Sequence, residues 1–251
     1  MEPLDSALFT LGDSHSLWSF AGIKDAKIFW RGPITMHRAA RDGIKALIPK
    51  NCRPKRGDIL VLSFGDIDCR AHIAKQAASQ GTTTRMQVDL LCDRFEIAVD
   101  SFRKQCPATL AVSCILPPAR VALPVEYYPS EEDCFEDAKA IRERMNHRLS
   151  GIAPLIDFRE YFTDADGALT FSLSDAGVHI DSRNAQPVAD ALKRAFDRSF
   201  PTVVPSWPNV KPMAQPHYVS PLKRARRRIK HLVMTPVRNM MAHIKFLLVK
   251  T

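Results

Sequence analysis

No cysteine of this sequence belongs to a Cys-x-x-Cys pair, and its cysteines and histidines do not show the spacing of a metal-ligand set. We therefore expect the six cysteines to be reduced, buried thiols, with no disulfide, no bound metal and no cofactor. No segment approaches the roughly 20 apolar residues that cross a membrane. The first twelve residues contain two acids and no base, so we expect no secretory leader and a cytoplasmic location.

Acidic residues are missing from the C-terminal part of the chain. Residues 198–251 hold eleven lysines and arginines and no acid, whereas residues 1–197 hold 25 bases and 27 acids. The net charge of +9 therefore comes from the C-terminal part. Six prolines within 201–221 exclude a helix or a central strand there. The sequence predicts one domain over residues 1–200, a proline-rich linker over 201–221 and a basic amphipathic tail over 222–251.

The tail combines a basic cluster with an apolar stripe at helical spacing. A helix is predicted to begin at Thr235-Pro236, and its stripe consists of Val237, Met240, Met241, Ile244, Leu247 and Leu248. This composition is typical of a helix that lies on an anionic membrane surface. A solvated tail and a helix that docks on a partner or on the protein itself are the alternatives. Nucleic acid is disfavoured, because Phe246 is the only aromatic residue of the tail.

Apolar strands and amphipathic helices alternate through the first 200 residues. Strands are predicted at 7–11, 28–30, 58–64, 109–116 and 155–158, and helices at 35–47, 84–105, 131–149 and 183–199. Segment 59–64 is apolar at all but one position, which is typical of a parallel strand that is covered on both faces. The alternation predicts an α/β fold with a parallel sheet between two helical layers. In such folds, sites form at the carboxyl ends of the strands.

The motif Gly12-Asp13-Ser14-His15 follows the first predicted strand. One interpretation is an ordinary strand-to-helix turn, in which Asp or Ser caps the helix and His15 is a turn residue. A second is a serine nucleophile, and a third is the start of an Asp-x-His metal site. A nucleophilic Ser14 needs a base and oxyanion donors. The chain offers His179 near the end of the domain, and Gly32 and Gly65 directly after two other strands.

These motifs, in this order, resemble the SGNH (GDSL-like) hydrolase superfamily over about residues 6–199. The resemblance implies a flavodoxin-like α/β/α sandwich that hydrolyses esters, including lipid, acyl and acetylated-glycan esters. It implies that Ser14 is the nucleophile, that His179 is its base and that Gly32 is an oxyanion glycine. The Asp that the family places three residues before its His falls on Ala176. Asp175 lies one residue further away, so either the loop is longer or the site is a Ser–His dyad.

The family's Gly-x-Asn-Asp block falls on residues 65–68, where Ile67 replaces the oxyanion-binding Asn. Because Ile67 donates no hydrogen bond, we expect Arg70 or His72 to supply the missing donor. The block Gly-x-Ile-Asp-x-Arg-x-His, paired with a GDSH motif, resembles a bacterial variant of the family. The residues predicted to bind the oxyanion or substrate are Gly32, Gly65, Asp68, Arg70 and His72.

The sequence thus predicts a serine esterase whose substrate is a small-molecule or glycan ester. Transfer of the acyl group to a sugar instead of water remains open. One alternative is a catalytically impaired SGNH-like binding protein, which the departures at Ile67 and Ala176 suggest. Another is a metal-dependent phosphoesterase with the ligand pool Asp13, His15, Asp66, Asp68, His72 and His179, although the other motifs of that class are absent.

Overall fold

A computed structural model describes residues 6–205. Its five strands form one fully parallel sheet in the order β2-β1-β3-β4-β5. The strands are β1 (Leu8–Gly12), β2 (Lys27–Trp30), β3 (Ile59–Ser63), β4 (Thr109–Ser113) and β5 (Leu155–Ile156). This is the flavodoxin-like strand order. The predicted α/β fold is therefore confirmed.

Helices connect the strands and cover both faces of the sheet. They are α1 (Ser14–Trp18), α2 (Met36–Asp42), α3 (Ile44–Leu47), α4 (Asp66–Ala71), α5 (Ile73–Gln80), α6 (Thr84–Arg103), α7 (Glu131–Ile152), α8 (Arg159–Phe162) and α9 (Gln186–Phe196). The prediction of one helix over 35–47 is wrong. Gly43 has φ +81°, which lies outside the helical range and separates α2 from α3.

Each strand is apolar on both faces because the sheet lies between two cores. Along β1, Leu8 joins the core formed with α1 and α9, whereas Phe9 and Leu11 join the core formed with α2, α3, α6 and α7. The strand β3 alternates in the same way between the two cores. Since successive side chains of a strand point to opposite faces, a continuous apolar run is what this architecture requires.

The carboxyl ends of β1 and β3 approach each other unusually closely. Gly12 pairs with Ser63, and a Cβ atom on Gly12 would lie 1.9 Å from the Ser63 carbonyl oxygen. The Asp13 N–H donates a hydrogen bond to that same oxygen at 3.1 Å. The loops that follow the two strands are thus held side by side. The chain leaves β1 toward β2 on one side and β3 lies on the other, so this is a topological switch point, where ligand sites form.

The beginning of the predicted linker is extended along the domain. Thr202 forms an antiparallel bridge with Ile23, and the Val203 N–H donates to the Gly22 carbonyl at 2.8 Å. The remainder of the linker predicted at 201–221 and the basic tail predicted at 222–251 lie outside the described residues, and both stay predictions. Within residues 6–205, no helix is long and apolar enough to span a bilayer.

Substituting two glycines with alanine tests the close approach of β1 and β3. Gly12→Ala is expected to lower the free energy of unfolding by about 3 kcal/mol or more, because the new Cβ overlaps backbone. Gly151→Ala is the matched control, since Gly151 lies in α7 with no atom within 4 Å of its added Cβ. It is expected to be neutral or stabilising by up to about 1 kcal/mol. Urea unfolding, monitored by circular dichroism, measures the stability of both variants. Equal unfolding midpoints for Gly12→Ala and Gly151→Ala would contradict the close approach of β1 and β3.

Candidate active site

Ser14 is the first residue of α1, directly after the sharp turn that ends β1. The Asp13 Oδ1 caps the helix by accepting the His15 N–H at 2.8 Å, and the Ser16 hydroxyl donates to the Asp13 carbonyl at 2.7 Å. The predicted capping turn is therefore present, and it presents a half-buried Ser14 at the carboxyl edge of the sheet. The turn and the nucleophile interpretations of this motif are compatible.

A continuous hydrogen-bonded chain joins Ser14 to an imidazole and a carboxylate. The Ser14 Oγ lies 2.8 Å from Nε2 of His179, and the Nδ1 of His179 lies 2.7 Å from Oδ2 of Asp175. Because the carboxylate can only accept, Nδ1 carries the proton and Nε2 is free to accept the hydroxyl hydrogen. Burial, and then the nearby charge of His15, lower the pKa of His179. The neutral imidazole is thus favoured, and its Nε2 is oriented toward the Ser14 hydroxyl.

The loop that carries Asp175 accommodates the extra residue noted in the sequence. Ala176 adopts φ +62°, and the Asp175 Oδ1 accepts the N–H groups of Gly177 at 2.9 Å and His179 at 3.1 Å. The Asp175 N–H donates in turn to the His179 carbonyl at 2.9 Å. This tight turn leaves Oδ2 directed at the imidazole. Of the two predicted arrangements, the structure has the longer loop with Asp175 in contact, not the dyad.

Two backbone amides, in the loops after β1 and β2, are available as donors. The Ser14 amide is the first of α1 and has no partner within the helix, and within residues 6–205 neither it nor the Gly32 amide donates a backbone hydrogen bond. Gly32 has φ +83°. Its position is fixed by the Arg31 N–H, which donates to the Gly12 carbonyl at 2.8 Å. This arrangement ties the loop after β2 to the end of β1.

Residues 65–68, which follow β3, pack against the segment that follows Gly32. Gly65 has φ +117°, and a Cβ there would lie 2.9 Å from Met36 and from Ile115. Asp68 is buried, and its carboxylate accepts the N–H groups of Met36 at 2.6 Å and His37 at 3.3 Å. Burial raises the pKa of Asp68 to about 7. The carboxylate of Asp68 therefore orders the segment that follows Gly32, and its predicted contact with substrate stays a prediction.

The two candidates for the missing oxyanion donor lie in different surroundings. The Nε of Arg70 donates to Oδ2 of Asp66 at 2.5 Å, while its other nitrogen atoms have no hydrogen bond within residues 6–205. His72 is exposed and lines a cavity of about 400 Å³ between α2, α5 and α6. Neither Ser14 nor His179 lines that cavity. Ile67 lies half-buried in the first turn of α4.

The sequence predicts that His15 is a turn residue, but the structure places it in a buried charged cluster. Its Nε2 lies 3.7 Å from Oδ2 of Asp66, and its Nδ1 lies 3.3 Å from Oδ1 of Asp13. Burial alone would lower the pKa of His15, but Asp66 and Asp13 outweigh it and raise the pKa to about 9. Burial opposes ionisation of Asp66 too, yet His15, Arg70 and Arg142 lower its pKa to about 2. His15 and Asp66 are therefore an ion pair at neutral pH.

Sequence reasoning also missed Trp18 and Arg142. The Trp18 ring stacks on His179 with centroids 5.5 Å apart and planes 14° apart. Its position four residues after Ser14 puts both on one face of α1, which was the available signal. Arg142 is 4% exposed and lies 3.6 Å from Asp66. It interrupts the apolar stripe of α7, and a charge on a buried stripe indicates a partner.

The ligand pool of the phosphoesterase alternative is not assembled. Within the part of the chain that the structure describes, no three His, Cys, Asp or Glu side chains are placed to hold one metal ion. Among the pool, His179 is hydrogen-bonded to Ser14 and Asp175, and Asp68 is engaged by backbone amides. The side chains thus favour the serine interpretation of the motif.

The His15 ion pair predicts a dependence of stability on pH. The folded-state pKa of about 9 lies above the usual 6.5, so the stabilising contribution of His15 is complete below pH 6.5 and is lost as the pH rises to 9. Relative to His15→Gln, the free energy of unfolding of the wild type should fall by about 1.4 kcal/mol per pH unit in this window. Urea titrations at several pH values measure the difference, and parallel curves would contradict a buried cation at this position.

The sequence matches no family model and no curated protein. Among solved structures, the chain is similar to the C-terminal domain of the Drosophila Oskar protein, with 10% identity over 75% of this chain and 87% of that one and a TM-score of 0.44. It is also similar to a member of the lipolytic G-D-S-L family from Veillonella parvula, with 13% identity, 77% and 99% coverage and a TM-score of 0.44.

A catalytic mutant of an acetylxylan esterase from Geobacillus stearothermophilus is similar at 10% identity, with 76% and 94% coverage and a TM-score of 0.43. The described chain has a flavodoxin-like α/β/α fold, with Ser14, His179 and Asp175 hydrogen-bonded at the carboxyl edge of its sheet.

Proposed function

We propose that this protein is a serine hydrolase that cleaves carboxylic esters. The observation that carries the proposal is the unbroken chain from Ser14 through His179 to Asp175, with contacts of 2.8 and 2.7 Å. Nucleophilic serines need a base within hydrogen-bonding distance and a third group that orients the base. All three groups lie at the topological switch point of the sheet, where substrates reach this kind of fold.

The first half of the reaction forms an acyl-enzyme. His179 Nε2 takes the proton as the Ser14 oxygen attacks the ester carbonyl, and Asp175 stabilises the imidazolium that results. The free N–H groups of Ser14 and Gly32 meet the oxygen that becomes negative. His179 then gives its proton to the departing alcohol. The stacked Trp18 ring keeps the imidazole oriented through these steps.

The second half repeats the cycle with water as the nucleophile, and release of the acid restores Ser14. An acceptor hydroxyl in place of water would give acyl transfer by the same steps. The substrate class that the sequence resemblance suggests is an acylated or acetylated glycan. The geometry of the three side chains supports carboxylic ester chemistry at Ser14.

A binding protein without catalysis is the second candidate, and Ile67 is the observation that favours it. Loss of one oxyanion donor costs roughly a hundredfold or more in rate. Arg70 offers a compensating donor, because only its Nε is engaged by Asp66. We propose a reduced but real esterase activity on this basis.

Three substitutions test the proposed nucleophile, base and orienting acid. With p-nitrophenyl acetate as substrate, Ser14→Ala and His179→Ala are each expected to lower kcat by about a thousandfold or more. Asp175→Asn is also expected to lower kcat, but by less than either of these substitutions. A fluorophosphonate probe should label the wild type and should not label Ser14→Ala. Ser150→Ala is the matched control, since Ser150 is an exposed residue of α7, and it should behave as the wild type.

The same assay separates the alternatives. A wild type that neither turns over esters nor reacts with the probe would support the binding protein and refute the hydrolase. With p-nitrophenyl phosphate in place of the acetate, activity that survives in Ser14→Ala but disappears after dialysis against a chelator would support the metal-dependent phosphoesterase.

Restoring an amide at position 67 tests the weakened oxyanion site. Ile67→Asn introduces a donor at the position where the resembled family carries one, so kcat on p-nitrophenyl acetate is expected to rise, by up to about a hundredfold. Ile97→Asn is the matched control, because Ile97 is 70% exposed on α6. An unchanged or lower rate for Ile67→Asn, in a protein that remains folded by circular dichroism, would show that this position does not limit catalysis.

A further inference from the structure

His15 forms a direct link between the nucleophile turn and the loop that carries the base. Its Nε2 lies 3.1 Å from the carbonyl oxygen of Val178, which is 163 residues away in the chain. A carbonyl oxygen only accepts, so Nε2 must carry the proton. Val178 directly precedes His179. The bond therefore fixes the backbone of the residue whose side chain receives the Ser14 proton.

The His15 ring also lies against the His179 ring itself. The two imidazole centroids are 4.7 Å apart with planes tilted by 51°. Ser14, His15 and Trp18 thus all contact the base from one short helix, through a hydrogen bond, a ring contact and a stacked ring. Movement of the 174–180 loop would break all three contacts at once.

Two carboxylates favour the charged form of His15, whereas two neighbouring side chains and its burial oppose it. Asp13 faces it from its own turn and Asp66 faces it from α4, while Arg70 of α4 and His179 of the loop oppose its charge. Arg142 of α7 lies 3.6 Å from Asp66 and adds a further positive charge to the cluster. Buried ion pairs contribute little net stability compared with apolar residues of the same size. A charged imidazole at 6% exposure therefore calls for an explanation besides stability.

We infer that His15 is a positioning residue for His179, holding the loop through the Val178 carbonyl and placing a fixed positive charge beside the catalytic imidazole. This inference rests on the proposed function and assigns His15 no contact with substrate. The hydrogen bond keeps Nε2 of His179 in line with the Ser14 hydroxyl. The charge disfavours a second cation at His179, so the base stays unprotonated at lower pH than an isolated histidine would.

Two substitutions separate the hydrogen bond from the charge. His15→Gln keeps an N–H donor near the position of Nε2 and removes the charge, whereas His15→Leu removes both. In His15→Gln, the acidic limb of the pH profile of kcat/KM should move to higher pH, with a modest loss of kcat at the plateau. His15→Leu should show the same shift and a further loss of kcat of up to about a hundredfold, with KM little changed.

His147→Gln is the matched control for the loss of a histidine, because His147 is exposed on α7, and its profile should equal that of the wild type. An acidic limb that stays in place in both His15 variants would refute the proposed effect of the His15 charge on His179. Equal plateau rates for His15→Gln and His15→Leu would refute the proposed role of the hydrogen bond to Val178. If His15→Leu does not fold, His15→Ala takes its place in the comparison of plateau rates with His15→Gln, and the His15→Gln profile still decides on the charge.

A second measurement keeps this test independent of esterase activity. Titration of His179 in full-length, histidine-labelled protein by NMR reports the protonation of the imidazole directly. The midpoint is expected at higher pH in His15→Gln than in the wild type, even if the wild type turns over no ester. An unchanged midpoint would refute the inference, whereas absent turnover with a shifted midpoint would refute only the proposed function.

Discussion

The contact between the carboxyl ends of β1 and β3 is the constraint on which the site depends. Gly12 allows the Ser63 carbonyl to come where any side chain would exclude it, and the Asp13 N–H then donates to that oxygen. This fixes the direction in which the chain leaves β1 and places Ser14 at the start of α1. The Gly12 carbonyl also accepts the Arg31 N–H. Contacts at this one glycine therefore fix the relative positions of the loops after β1, β2 and β3.

Behind the hydrogen-bonded chain lies a layer of buried charge that joins elements distant in sequence. Asp66 contacts His15 of α1, Arg70 of its own helix and Arg142 of α7. In a region of low dielectric such contacts are strong, and each member is costly to remove because its partners remain buried and charged. The cluster therefore specifies one arrangement of α1, α4 and α7 more than it adds to net stability. His179 contacts this cluster through the ring of His15.

Much of the fold followed from local pattern, because continuous apolar strands and helical stripes report burial on two faces directly. The positions of Ser14, Gly32 and His179 at strand ends and in a late loop were also accessible, since parallel strands end at a common edge. The break at Gly43 and the helix α4 could not be predicted from the sequence, because short helices carry little periodic signal.

The charged state of His15 was inaccessible for a different reason. A histidine that follows a Gly-Asp-Ser turn looks like a turn residue until Asp66 and the Val178 carbonyl are placed beside it, and those partners lie 51 and 163 residues away. The contact of Asp175 with His179 likewise depended on Ala176 adopting a left-handed backbone. Spacing alone does not report that conformation.

The 165 residues that separate Ser14 from His179 have a consequence for the newly made protein. The hydroxyl leaves the ribosome early, and the imidazole that contacts it emerges only when the domain is almost complete. A chain that is truncated or stalled before the last loop lacks the hydrogen-bond partner of Ser14 altogether. Because contacts between residues this far apart in sequence form late and slowly, the arrangement of Ser14, His179 and Asp175 is completed only when the whole sheet is in place.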